Sequence, residues 1–151
     1  MGTTCVAALI EDKVVYMVNV GDSRAYVIRG NEIQQITEDH SIVANLIAQG
    51  KMREEDAKYH PQRNVITRAV GVKDSVSADY YEFDIEENDI ILLCSDGFCG
   101  SCEEEKTVEI LLQNDFETAA DVLTETALEN GSTDNITVVL ILNDAGDDSD
   151  E

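Results

Sequence analysis

Positive charge is scarce in this chain. Of its 151 residues only 10 are lysine or arginine, against 32 aspartate or glutamate, which gives a net charge of -22. Such a surface repels nucleic acid and anionic membrane and attracts divalent cations or basic partners, so no nucleic-acid or membrane partner is expected. Long apolar runs are missing too. No stretch approaches the roughly eighteen apolar residues of a membrane span, and no basic segment followed by an apolar one marks a signal peptide, so a cytoplasmic location is expected. Proline occurs once, at Pro61, away from the four cysteines at 5, 94, 99 and 102. Without a proline in context or a surrounding βαβ unit, Cys99-Gly100-Ser101-Cys102 makes a poor thioredoxin-like site, and without a second C-x-x-C pair it makes a poor zinc site. The thiols are therefore expected to be reduced, with Cys5 and Cys94 as small apolar core residues in strands.

What is present fits one globular domain, since 151 residues with 43% apolar content can bury an ordinary core. Residues 144–151 form an acidic tail that is expected to be disordered and solvated. Glu86-Glu87 and Glu103-Glu104-Glu105 read as solvated turns or helix starts. Cys5 to Ile10 and Val14 to Val20 predict a hairpin, and Ala25 to Ile28 with Glu32 to Ile36 a second one about Gly30-Asn31. The first third then reads as an antiparallel meander. Ser41 is placed to cap a helix with Ile42, Val43, Leu46 and Ile47 on its apolar face, ending at Gly50, and Arg53 to Tyr59 continue as a short charged helix. After an ambiguous segment at Val65 to Val70, strands are expected at Ala78 to Asp84 and Ile90 to Cys94. Helices are expected at Glu103 to Leu112 and at Thr118 to Glu129, the latter with Leu123, Ala127 and Leu128 on one face. An interior strand, Ile136 to Leu142, closes the pattern. Strands early and helices late argue for an α+β fold of antiparallel sheets with helices layered on them.

Ile90-Ile91-Leu92-Leu93-Cys94 stops at Ser95-Asp96-Gly97, which predicts a strand buried on both faces with Asp96 at its end. A carboxylate in that position needs a partner, a proton or a metal. Asp22 and Asp134 share the context, each near the terminus of an apolar strand beside a small or turn-forming residue. Hard divalent cations take oxygen ligands, and Gly21 and Gly97 leave room for a hydrated ion. Acidic residues at strand ends also serve simply as turn formers, and spacing alone admits both readings.

Five ordered segments settle on a family. Met1-Gly2-Thr3-Thr4, Asn19-Val20-Gly21-Asp22-Ser23-Arg24-Ala25-Tyr26, Ile36-Thr37-Glu38-Asp39-His40-Ser41, Leu92-Leu93-Cys94-Ser95-Asp96-Gly97 and Ser132-Thr133-Asp134-Asn135-Ile136-Thr137 follow one another as in metal-dependent serine/threonine protein phosphatases of type 2C, and resemble the bacterial members most. His60-Pro61-Gln62-Arg63 fits the bacterial pattern as well. The resemblance implies a sandwich of two antiparallel sheets flanked by helices, spanning residues 1–143 with a flap subdomain at about 41–60. It implies a manganese or magnesium centre in which Asp96 and Asp134 hold core metal and Asp22 with Asp96 a third ion. It also implies in-line attack on a phosphoserine or phosphothreonine by a metal-activated water, on proteins that are targets of a partner serine/threonine kinase.

The pattern departs from the family at its start. Type 2C enzymes carry a phosphate-gripping arginine and an Asp-Gly-His-Gly segment upstream of Gly-Thr-Thr, and neither appears in this sequence. Neither His40 nor His60 occupies a matching position. The expectation is an N-terminally truncated catalytic domain, weakly active or inactive alone, with self-association through a sheet left uncovered. The alternative is a non-catalytic pseudophosphatase or binding module.

Overall fold

The structure is a computed structural model that describes residues 1–144. The expected acidic tail therefore lies, from residue 145 onward, outside the described residues. β1 (Cys5–Glu11) and β2 (Val14–Val20) pair as the expected hairpin, in register from Cys5 opposite Val20 to Glu11 opposite Val14, and β5 (Asp79–Asp84) adds to the far edge of β2. A second sheet has the order β4-β3-β6-β7, from β3 (Arg24–Arg29), β4 (Glu32–Gln35), β6 (Ile90–Cys94) and β7 (Val138–Leu142). All pairings are antiparallel. The expected continuous meander is thus divided: its two hairpins belong to different sheets, and the chain changes sheet at Gly21-Asp22-Ser23.

Period-2 alternation explains the layers. Val15 and Met17 of β2 pack against Ala25 and Val27 of β3 and Ile91 of β6, filling the space between the sheets. The opposite face of the second sheet carries Tyr26, Ile28, Leu92 and Cys94 and is covered by α3 (Glu104–Gln113) and α4 (Phe116–Glu129). Val108 and Ile110 from α3, and Leu123 and Ala127 from α4, supply that contact. Complete burial of Leu123 alone is worth about 1.5–3 kcal/mol. β6 lies between β3 and β7 with Ile91 and Leu92 almost fully buried, on opposite faces, as expected of a two-sided strand.

Four expectations need correction. Cys5 is exposed, because β1 is an edge strand and Cys5, Ala7 and Leu9 point away from the inter-sheet core. Leu128 is 60% exposed, since the helical repeat aligns Ala119, Leu123 and Ala127 four apart and carries residue 128 past that line. β7 is an edge rather than an interior strand, and Val139 on it is 45% exposed. The segment after Arg53 is a 3-10 helix, Glu54–Tyr59, in place of a regular short helix. α1 (Ile42–Ala48) does begin as expected, with Ser41 Oγ accepting from the Ala44 amide at 3.1 Å and Gly50 beyond its end at φ +70°. The ambiguous Val65 to Val70 segment makes isolated bridges, Ile66 to Ser41 and Val70 to Thr3.

Candidate metal centre

The crossing between sheets positions Asp22. Gly21 adopts φ +109°, and a β-carbon there would sit 2.5 Å from the Thr4 side chain, so both the turn and the close approach call for glycine. His40 clamps the same turn. Its amide donates to the Gly21 carbonyl at 3.0 Å, and the Gly21 amide donates to His40 Nδ1 at 3.0 Å. With Nδ1 accepting, the ring proton belongs on Nε2, which donates to Asp79 Oδ2 at 2.7 Å. Asp79 also accepts from Arg68 Nη1 at 3.1 Å, and these contacts, His40 first, hold its carboxyl below the usual range. Thr4 and Ser23 hydroxyls share a hydrogen bond of 2.9 Å on the other side of the turn.

Asp96 opens the short helix α2 (Asp96–Cys99), directly after β6. The preceding residue is stitched to the loop that leads into β7: Ser95 N donates to the Thr137 carbonyl at 3.0 Å, and the Thr137 amide donates to Ser95 Oγ at 3.0 Å. Ser132 Oγ donates to the Gly97 carbonyl at 2.8 Å. Gly97 is required by contact, because a β-carbon there would overlap the Asn135 carbonyl. These bonds bring the Asp96 turn against Asp134, whose Oδ1 accepts from the Asn135 amide at 2.7 Å.

Of the three aspartates named by the sequence, Asp96 therefore lies near enough to both Asp22 and Asp134 for their charges to interact. Burial, and then the charge of Asp96, push the Asp22 carboxyl up to about 6. Burial, and then the charge of Asp134, raise Asp96. Asp22 and Asp96 are half-buried, and Asp134 is exposed at the rim. Among the described residues no group of three or more His, Cys, Asp and Glu side chains is gathered tightly enough to hold a metal ion. The contacts are pairwise, with Asp96 common to both pairs. Such a set fits a hard divalent ion that takes one or two protein carboxylates and completes its shell with water or phosphate oxygen. Mutual repulsion between the carboxylates is the electrostatic condition that a cation relieves.

His40 and its partners Asp79 and Arg68 were not recognisable as site-building residues from the sequence. Asp39-His40 stood inside a quoted segment, but Asp79 is only the first residue of a strand and Arg68 lies in a segment without regular pattern. Arg24 gave a better signal. It forks onto Asp39, with Nη2 to Oδ2 at 2.7 Å and Nε to Oδ1 at 2.9 Å, and its Nη1 donates to the Tyr26 hydroxyl at 3.0 Å, tying the second sheet to the segment that carries His40.

Comparison with known proteins agrees with this geometry. The family profile of protein phosphatase 2C matches residues 1–45. A serine/threonine phosphatase stp from Listeria welshimeri is 41% identical over 142 residues, covering 93% of this chain and 56% of that protein. The crystal structure of a bacterial serine phosphatase superposes with a TM-score of 0.92 at 41% identity, covering 97% of this chain and 60% of the other. The catalytic domain of the serine/threonine protein phosphatase PstP, solved in complex with two manganese ions, superposes with a TM-score of 0.80 at 34% identity over 95% of this chain and 60% of that one. The chain thus spans a little over half the length of the relatives it matches. In ordered motifs, in sheet topology and in these likenesses, the chain belongs to the protein phosphatase 2C family.

Proposed function

We propose that this chain forms part of the catalytic domain of a manganese- or magnesium-dependent protein phosphatase acting on phosphoserine and phosphothreonine. The observation that supports the reading is the pair of couplings that share Asp96, Asp22 with Asp96 and Asp96 with Asp134, in which burial and neighbouring negative charge raise Asp22 and Asp96. Asp96 and Asp134 would hold one divalent ion, and Asp22 with Asp96 another. A bound ion supplies Lewis acidity that lowers the pKa of water and neutralises phosphoryl oxygens. His40 and Gly21 orient the Asp22 turn, while Ser95, Ser132 and Gly97 fix the Asp96 turn against Asp134. The substrates are phosphoproteins, targets of a partner serine/threonine kinase, met in the cytoplasm. No helix among the described residues is long and apolar enough to cross a membrane.

Residues 1–143 are proposed as one partial catalytic unit with the flap at about 41–60. Since the sequence contains no Asp-Gly-His-Gly segment and the carboxylates meet only pairwise, the chain alone is proposed to release phosphate from phosphopeptides weakly or not at all. The pairwise arrangement also favours a second reading, a binding module that keeps the scaffold and has lost the chemistry. Titration calorimetry with manganese separates the two. Saturable binding that is lost in Asp96→Asn, with the fold retained by circular dichroism, supports the metal centre. A chain that gives no heat with manganese yet binds a phosphopeptide supports the module and removes the metal reading.

A further inference from the structure

The side-chain amide of Asn19 is completely buried where the pattern of its strand asks for an apolar residue. Period-2 alternation along β2 sends Val15, Met17 and Asn19 to one face, and the first two fill the space between the sheets. A polar group in such a row costs stability unless it is hydrogen-bonded. Asn19 finds partners for its nitrogen alone: Nδ2 donates to the Glu38 carbonyl at 3.2 Å and, more weakly, to the Gly21 carbonyl at 3.4 Å. Two carbonyl oxygens can be met only by the NH2 end, which fixes the orientation of the amide. Oδ1 then lies where no donor reaches it, the one buried side-chain nitrogen or oxygen among the described residues with no hydrogen-bond partner. The side chain is held by what it donates.

Its two acceptors belong to the backbone that delivers Asp22. The Gly21 carbonyl and the Asp22 amide are parts of one planar peptide unit, so fixing the carbonyl fixes the plane that leads into Asp22. Asn19 Nδ2 reaches that carbonyl from β2, and the His40 amide reaches it at 3.0 Å from the segment after β4. The bond to Glu38 ties β2 to the same segment two residues before His40, and the Glu38 amide in turn donates to the Tyr81 hydroxyl of β5 at 3.0 Å. We propose that Asn19 is a positioning residue for the Asp22 arm of the metal centre, holding the Gly21–Asp22 peptide through its N–H groups at the expense of an unpaired buried oxygen. This role rests on the reading of Asp22 as a metal ligand. Groups that orient a ligand without touching the ion set metal affinity by about 10–100-fold, and Asn19 stands in that relation to Asp22.

Asn19→Leu, in the whole chain, separates this role from packing. Leucine has a similar size and branching, removes both donors and removes the unpaired oxygen as well. The Gly21 carbonyl keeps the His40 amide, and Glu38 is an exposed residue whose carbonyl can turn to water. The midpoint of urea unfolding should therefore stay close to that of wild type, because the loss of two long hydrogen bonds is offset by the loss of a buried orphan acceptor. Manganese titrated by calorimetry should bind the variant about 10–100-fold more weakly than wild type. In metal-free 15N–1H spectra the shift changes should centre on Gly21, Asp22 and Glu38. Should the variant fail to fold, titration of wild type with magnesium decides: the Asn19 side-chain amide signals should move together with the Gly21 and Asp22 backbone amides. A folded Asn19→Leu that binds manganese as tightly as wild type, a loss of stability with the Gly21 and Asp22 shifts unchanged, or Asn19 signals that stay still while Asp22 moves would each overturn this role and leave the metal reading standing. A wild type that gives no heat with manganese removes the metal reading and this role together.

Discussion

At the scale of single residues, the most buried charge in the central strand segment is Asp89 and not the Asp96 that the sequence draws attention to. Asp89 is 1% exposed, and its carboxylate accepts from Arg29 Nε at 2.9 Å, Arg29 Nη2 at 2.7 Å and the Glu86 amide at 2.7 Å. Every oxygen is engaged, which is how a carboxylate survives burial. Replacing Asp89 with alanine should cost about 2–3 kcal/mol by urea unfolding, toward the low side for a broken buried pair because the half-exposed Arg29 can turn to water. The Arg29 hydrogen bonds hold the folded carboxyl below its usual value. On acidification the unfolded chain therefore takes up that proton first, so the contribution is complete above about pH 4 and is lost as pH falls through the folded value. The stability gap between wild type and Asp89→Ala should accordingly narrow below about pH 4. A gap that stays constant down to the acid transition would refute this assignment. His40, 5% exposed, offers a second case. His40→Ala leaves the Gly21 amide without its acceptor and should cost about 1–3 kcal/mol, whereas Arg68→Ala breaks a partly exposed ion pair and should cost no more than about 1 kcal/mol.

At the scale of elements, the sequence carried most of the fold because its signals were local. The β1–β2 turn, the Ser41 cap and the two-sided burial of β6 each follow from residues within a few positions of one another. What it did not carry depends on partners distant in the chain. Nothing in Cys5 to Ile36 says that one hairpin joins β5 and the other joins β6, so the expected meander divides in space at Asp22. Edge position misled in the same way: Val138 to Leu142 is apolar enough for an interior strand, yet among the described residues it has one neighbour in the sheet. The three aspartates were legible as strand-end carboxylates, while the residues that aim them, His40 and Asp79, were not, since a single histidine or a strand-initial aspartate has no distinguishing pattern. Gly97 shows how an element is placed by contact. Gly97→Ala forces the Asp96 turn off the Asn135 backbone and should destabilise by about 1–3 kcal/mol, with chemical-shift changes spreading through residues 132–137. Gly30→Ala, at φ +62° with nothing within 4 Å, should cost only the left-handed strain of about 1–2 kcal/mol and leave that loop undisturbed. Equal shift patterns in the two variants would mean that Gly97 does not set the approach.

At the scale of the whole molecule, two surface properties oppose each other. The outer face of the first sheet presents Leu9 opposite Tyr16, exposed by 63% and 42%, with Glu82 next to Tyr16 on β5 and Tyr80, at 80%, opposite Val18. Cys5 and Ala7 extend the same face along the exposed edge of β1. An apolar face beside an unpaired strand edge favours association with a second copy. The net charge of -22 works against it, because each copy repels the next. Salt alters the two terms unequally, shortening the Debye length to about 8 Å at about 0.15 M while leaving apolar burial nearly untouched. The chain should therefore sediment as a monomer at low ionic strength and shift toward dimer as sodium chloride is raised. Leu9→Lys should remain monomeric throughout, since it removes the apolar side chain and puts a strongly hydrated charge where the face would have to be buried. If wild type stays monomeric at every salt concentration, or Leu9→Lys associates equally well, the outer face is not what joins the copies.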